Sequence, residues 1–282
     1  MANETRKQHI VIPEVMADMI ETELPHALVF GELVDIDDTL VGVPGDTVTV
    51  PKWGLIGEAQ DVGELAAIPY ENLTTSKTTI TIKKVGKGVM FSDEALLSGY
   101  GDPLGQGTKQ IATAIARKID TDVLTKMGEA TLKYDMKSKP LSYDILADAL
   151  VKFGERVDVP RIMFITQEQY AELRKDKNFL ALKDMAGKPI MMSGVVGEIC
   201  GVQLRVTANS GIVSGSQVTN YIVEPKAMGL LLKRDTQVET GRDMDKKATK
   251  VNADKHYGVF IKDETKILKL LTKKPTIAAS ES

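Results

Sequence analysis

The feature that most constrains this chain is a pair of β-patterned stretches separated by a long polar interval. Asp46-Thr47-Val48-Thr49-Val50-Pro51 alternates with a period of two, and so does Lys77-Thr78-Thr79-Ile80-Thr81-Ile82-Lys83-Lys84-Val85. Between them, Gly54 to Asn72 is rich in Gly, Glu and Ala and has weak strand character. Two strands around such a tip make a long protruding hairpin over 45–92. An isolated two-stranded ribbon is barely stable in water, so an arm of this length needs a surface to lie on.

The leading segment poses the same question. Pro13 suits the first turn of a helix, and Val15, Met16, Met19 and Ile20 then share one face. Nothing nearby in sequence covers this short stripe, and a neighbouring subunit is the expected cover.

The rest of the chain reads as a body of mixed helix and strand. Residues 102–130 form the clearest helix, with Asp102 as N-cap, Pro103 in the first turn, and Ile111, Ile115, Ile119, Val123 and Met127 recurring every four residues. At ~1.5 Å per residue it is roughly 40 Å long, and Gly128 is its stop. Ser142 to Arg156 is a second helix. Arg161-Ile162-Met163-Phe164-Ile165 reads as a buried strand, and Thr166 caps a helix through Leu173. Val202 to Thr207, Tyr221 to Val223 and Gly229 to Leu232 are further strands. Tyr257 to Lys262 and Lys266 to Leu271 are expected to pair around Asp263-Glu264. The class is α+β, bordering on α/β.

A search for chemistry returns little. Gly99 to Gly107 is glycine-rich and opens the long helix, but a helix precedes it and Asp102 occupies the place of a phosphate. Gly86-Lys87-Gly88 lacks the spacing of a nucleotide loop. His9, His26 and His256 stand in separate segments, and Gly211-Ile212-Val213-Ser214-Gly215 has its serine one place too late for a nucleophile elbow. Asp35, Asp37 and Asp38 read as a solvated turn. Cys200, the single cysteine, reads as a buried inert thiol. Lys83, Lys84 and Lys87, Lys246, Lys247 and Lys250, and Lys273 and Lys274 have acidic neighbours and no interleaved aromatics. With a net charge of −3, specific DNA reading is not expected. No secretory signal or membrane-length apolar run is evident, so the chain is expected in the cytoplasm when made. Catalytic, cofactor and metal sites are all expected to be absent.

The order of elements carries a resemblance: arm, long hairpin, one long helix, an α/β module and a closing β segment. It resembles the Hong Kong 97-like major capsid proteins of tailed bacteriophages. Gly45 through Trp53 is similar to the start of that family's E-loop, and Leu73–Lys77, Val85–Gly88 and Phe91–Ala95 to its return. Ser193 through Thr207 resembles the glycine-spaced run of the axial domain, and Tyr257 through Glu264 the closing segment.

The resemblance implies an N-terminal arm at 1–44 and an E-loop at 45–92. It also implies a P domain at 93–140 with its spine helix at 102–130, and an A (axial) domain at 141–240. Returning P-domain strands at 241–275 and a flexible C-terminal tail at 276–282 complete the division. It implies a subunit that self-assembles into pentamers and hexamers of an icosahedral shell enclosing double-stranded DNA without sequence-specific binding. A separate scaffolding protein and a portal are the implied partners, with assembly in the host bacterial cytoplasm and no membrane. Candidate inter-subunit contacts are Val15, Met19, Lys52, Trp53, Glu58, Tyr70, Lys77 and Lys84. Cross-linking, as in some relatives, would join Lys52 or Lys77 to Asn252. For the axis-lining loop, 208–217 and 183–189 are alternatives. Two other readings stand beside this one: an encapsulin-type compartment shell, and a nucleotide-dependent enzyme built on 142–232.

Overall fold

The computed structural model describes residues 13–42, 44–53, 57, 59–63, 67–68, 70–73, 75–98, 103–154, 156, 159–175, 195–207 and 212–275. In chain order the helices are α1 (Pro13–Ala27), α2 (Asp93–Ser98), α3 (Pro103–Met127), α4 (Tyr143–Leu150) and α5 (Gln167–Leu173). The strands are β1 (Val34–Asp37), β2 (Thr47–Trp53), β3 (Thr75–Thr81), β4 (Lys83–Ser92), β5 (Lys133–Met136), β6 (Arg161–Ile165), β7 (Val195–Ile199), β8 (Val202–Val206), β9 (Val213–Ser214), β10 (Gln217–Val223), β11 (Met228–Asp243), β12 (Ala248–Ile261) and β13 (Ile267–Lys273).

The unbroken apolar run of β6 has a direct cause. β6 lies inside a seven-stranded mixed sheet of order β5-β13-β10-β6-β8-β7, with β9 beside β10. Its alternate residues go to different cores. Ile162 and Phe164 join Ile111, Ile115 and Val123 of α3, whereas Met163 and Ile165 join Ile145, Leu146 and Ala149 of α4. A sheet buried on both faces loses the alternation of a half-exposed strand. Ser142 caps α4, which gives way to a short 3-10 turn, Val151–Phe153, ended by Gly154 at φ 67°. Thr166 caps α5 through a reciprocal box with Gln169.

The second sheet has four strands in the order β1-β11-β12-β4. The four-residue period of α3 faces it and α1: Met16, Ile20 and Leu24 are buried in the same core as Val251, Ala253 and Tyr257. The expectation that α1 has no cover within the chain is therefore corrected. Its cover is α3, some ninety positions downstream, and the carboxylate of Asp120 fastens the exit of α1 by accepting from the backbone N–H of Val29 (3.0 Å) and Phe30 (3.1 Å).

Three other expectations change. The 45–92 arm is divided: β2 and β3 pair as a hairpin, but Lys83–Ser92 leaves it to pair with β12. Gly229–Leu232 is the start of a 16-residue strand, not a separate one. The closing strands do not pair with each other, because β12 lies in the four-stranded sheet and β13 between β10 and β5. The last strand thus belongs with the α4–α5 module, and position 240 falls within β11. Asp102, offered as the cap of α3, lies outside the described residues.

Candidate assembly surface

The hairpin is a sheet to itself. Its ladder runs from Thr47 opposite Thr81 to Trp53 opposite Thr75, and the N–H of Ile82 closes the base on the carbonyl of Asp46 at 2.9 Å. Among the hairpin side chains that are described, Ile80 is the buried one. It is seated over Gly258 of β12, where a Cβ would come within 2.9 Å of its Cγ2. Farther out, the carboxylate of Glu71 accepts from the N–H of Gly57 across the tip at 2.9 Å. Described apolar groups toward the tip lie in solvent: Tyr70 is 95% exposed, Ile68 64% and Leu73 56%. Exposed large apolar groups grouped on one protrusion are the usual mark of a contact surface.

The root of the hairpin is held by polar anchors. Asp122 of α3 accepts a 2.7 Å hydrogen bond from the hydroxyl of Tyr257 and pairs with Lys83 at 2.6 Å and Lys118 at 3.0 Å. Burial alone would raise the Asp122 pKa, but these three donors outweigh it and hold it below the usual carboxylate value. Burial and the bond to Asp122 together push the Tyr257 phenol far up. On β12, Asp254 pairs with Arg234 and lies 3.6 Å from Lys84 and 3.5 Å from His256. Burial and then Arg234 lower the His256 pKa, so the imidazole is neutral at pH 7. It lines an open cleft of about 680 Å³ with Val41, Pro44, Asp46 and Ile82.

The eight candidate contacts fall as follows. Met19 is on the outer side of α1, 38% exposed, while Val15 is in α1 with its side chain outside the described residues. Lys52 and Trp53 close β2, their side chains likewise outside, and Glu58 lies wholly outside. Tyr70 and Lys77 are exposed along the hairpin, and Lys84 is at its root. Asn252 is exposed on β12 opposite Gly88, in a different sheet from Lys77. Of the axis-loop alternatives, 183–189 lies outside the described residues and 212–217 carries β9 and its turn into β10.

Sequence reasoning missed three things. Ile36 on the outer strand β1 is 69% exposed, a position that only sheet order reveals. The Lys83–Asp122–Lys118 cluster was half visible in the i, i+4 spacing of Lys118 and Asp122. Cys200 is exposed, contrary to the buried reading. It forms with Gly201 a two-residue turn between β7 and β8, both at positive φ (52° and 76°). Asp35 and Asp37 are also corrected: they belong to β1, with Asp35 paired to Lys262 at 2.6 Å.

The comparisons with known proteins bear on this geometry. The family model described as phage capsid protein matches residues 75–270. The major capsid protein of Staphylococcus phage phiMR11 is 35% identical over 268 residues, covering 94% of this chain and 95% of that one. This chain belongs to the phage capsid protein family. Phage capsid structures share its fold: the capsid of cyanophage Pam1 superimposes with a TM-score of 0.69 at 11% identity, over 98% of this chain and 97% of that one. A virus-like particle from Pyrococcus furiosus has a TM-score of 0.60 at 14% identity, over 91% and 98%. The architecture is that of the Hong Kong 97-like phage capsids. Among the described residues of this family member, no group of three His, Cys, Asp or Glu could hold a metal, and no helix is long and apolar enough to cross a membrane.

Proposed function

We propose that the protein is a phage major capsid subunit whose copies form pentamers and hexamers of an icosahedral shell around double-stranded DNA. The observation that carries this is the hairpin, whose described side chains include one buried on the body, Ile80, and the exposed Ile68, Tyr70 and Leu73 toward the tip. The match to a phage major capsid protein over nearly the whole chain supports it. In this reading 13–27 belongs to the N-arm, 47–81 is the E-loop and α3 is the spine helix. The four-stranded sheet makes the P domain and the seven-stranded sheet the axial domain. The interfaces are heterologous, so repetition about an axis closes rings. A separate scaffolding protein and a portal complete the particle, assembled in the host cytoplasm.

The test is negative-stain electron microscopy with sedimentation of the purified full-length chain, alone and co-expressed with phage head proteins. Closed shells or fivefold and sixfold rings are expected. A uniform monomer across salt and concentration overturns the proposal. The encapsulin-type reading is the alternative, because a virus-like particle from Pyrococcus furiosus shares this fold with the phage capsids and the fold alone does not separate the two. Particles isolated from infected cells decide between the two: nuclease-protected DNA supports a capsid, a protein cargo the compartment.

A further inference from the structure

At the root of the hairpin, charged groups from four segments converge on one imidazole. His256 of β12 shares its cleft with Lys233, Arg234 and Asp235 of β11 and with Asp46 ahead of β2. Its Nδ1 is buried and, among the described residues, has no hydrogen-bond partner. Asp254 Oδ2 lies 3.5 Å from it and already accepts from Arg234, with Lys84 of β4 3.6 Å from the same oxygen. Burial first, then Arg234 and Lys84, keep a proton off the ring, while Asp254 and Asp46 pull the other way. Asp235, on the cleft wall, is paired with Lys255 at 2.5 Å.

The strand that presents Arg234 is irregular. Its ladder with β12 slips register between Leu232 and Arg234 and again between Arg234 and Gln237. Such bulges re-aim a side chain and locally interrupt the ladder that would hold the strand still. The neighbouring Lys233 reaches the hairpin's lead-in, donating to the carbonyl of Gly45 at 2.8 Å. Gly42 and Gly45 have φ of 78° and 120°, conformations that glycine adopts without strain. One residue on, the carbonyl of Asp46 accepts from Ile82 and closes the hairpin base. The bulge therefore connects the cleft of His256 to the point where the hairpin leaves the body.

We propose that His256 is a proton-operated latch on the hairpin root. A protonated ring carries an N–H at both nitrogens and a full charge, so Nδ1 donates to Asp254 Oδ2 and the imidazolium repels Arg234. Arg234, 45% exposed, leaves the carboxylate for solvent. The bulge relaxes, Lys233 lets go of Gly45, and the hairpin's lead-in loses an anchor while the two cores stay packed. The latch is closed when His256 is neutral and opens in acid. Because the ring's pKa is below its usual 6.5, its stabilisation is complete above 6.5 and is lost as pH falls from there through the lower folded value. This device acts within one subunit and goes beyond the shell-building reading without resting on it.

The test is hydrogen exchange with mass spectrometry on the full-length subunit, kept dilute and unassembled, from about pH 8 to about pH 5. Rates are corrected for the intrinsic pH dependence of amide exchange, and the amides of β6 serve as the reference. The readout is the Ile82 amide, which closes the hairpin base. Relative to β6, its protection in the parent falls about tenfold across this range. His256→Gln stays neutral, so its protection keeps within about threefold of the parent's alkaline value at every pH. Arg234→Gln opens the latch directly, and protection is about tenfold lower at both ends of the range. His256→Lys carries a permanent charge and is open throughout. Circular dichroism checks that each variant folds; should His256→Lys fail, the two glutamine variants decide. Histidine ring resonances, with His256 assigned by its loss in His256→Gln, show it titrating below 6.5.

A parent whose Ile82 protection does not change with pH overturns the proposal. So does a His256→Gln variant that keeps the acid step, or a His256 resonance that titrates at or above 6.5. A purely structural histidine would lower protection evenly in His256→Gln and leave the step in place, which also overturns the latch. Since the chain is measured unassembled, failure of the latch leaves the shell-building reading standing.

Discussion

Replacing Asp122 with alanine tests whether α3 is fixed to the four-stranded sheet through a buried polar anchor. The phenol of Tyr257 is fully buried and donates to Asp122 at 2.7 Å. Alanine leaves that O–H without its acceptor, at a cost of about 1–3 kcal/mol. The ion pairs with Lys83 and Lys118 add about 0.2–1 kcal/mol each, because both lysines are half in solvent. The expected loss is about 3 kcal/mol, and at ~2 °C per kcal/mol for a chain of this size the Tm falls by about 6 °C. Asp122→Asn keeps an acceptor for Tyr257 and loses only the ion pairs, so about 1 kcal/mol and ~2 °C are expected. Scanning calorimetry of the unassembled subunit measures both. Equal losses for alanine and asparagine, or a fall of under ~2 °C for alanine, would refute the reasoning. The pH dependence follows in sign. Asp122 has a depressed pKa in the fold, so its ion-pair stability is present above its usual value of 3.8 and is lost as pH falls through the lower folded value. The gap between parent and Asp122→Asn is therefore full at pH 7 and closes in acid below pH 3.8. Asp120, whose burial raises its pKa despite two backbone donors, acts with the opposite sign.

Two further substitutions test other parts of the fold. Glu224→Ala strands Arg161, which is buried and stacked 4.4 Å from the centre of the Phe153 ring. An uncompensated buried charge costs about 3–5 kcal/mol, and a urea midpoint shift worth under ~1 kcal/mol would contradict this account. Gly258→Ala puts a methyl group 2.9 Å from Ile80 and 3.3 Å from the carbonyl of Thr81. Overpacking of about 1–3 kcal/mol is expected. Because the displaced group is the hairpin base, assembly should weaken more than the Tm falls; a variant that melts early yet assembles normally would count against the role given to this seat.

How far the sequence disclosed the fold depended on whether a pattern reports burial or partnership. α3 and β6 were readable because a four-residue period and an unbroken apolar run are consequences of burial, which each residue carries in its own chemistry. Partner choice is not so encoded. β12 and β13 are separated by a short loop and look like a hairpin, yet the N–H groups of Lys262 and Asp263 both reach the carbonyl of Ala227. Asp263 then caps the 3-10 turn Glu264–Lys266, which redirects the chain into the other sheet. The alternation of Lys77–Val85 likewise continues through a change of partner at Ile82. Of the candidate assembly surface, the exposed tip followed from composition, whereas exposed Ile36 on the outer strand β1 depended on sheet order. Cys200 reads as buried because free cysteines usually are; a residue before glycine between two strand-like segments is equally a turn signal.

The division of labour within the chain follows from where burial is spent. The seven-stranded sheet is covered on one face by α4 and α5 and on the other by the core it shares with α1, α3 and the four-stranded sheet. Among the described hairpin side chains the buried one is Ile80, and it belongs to neither core. Ordering a tip costs about 1–2 kcal/mol per residue in backbone entropy, and exposed Ile68, Tyr70 and Leu73 return nothing against that cost until a surface meets them. The body can therefore fold before the proposed assembly, in which the arm would gain its stability from contact with another copy. Substitutions in the two cores should change the melting of the subunit, and substitutions at the tip should change the concentration at which subunits associate. In the proposed assembly the two cores stay intact before partners are met, because the part that lacks internal support is not part of either core.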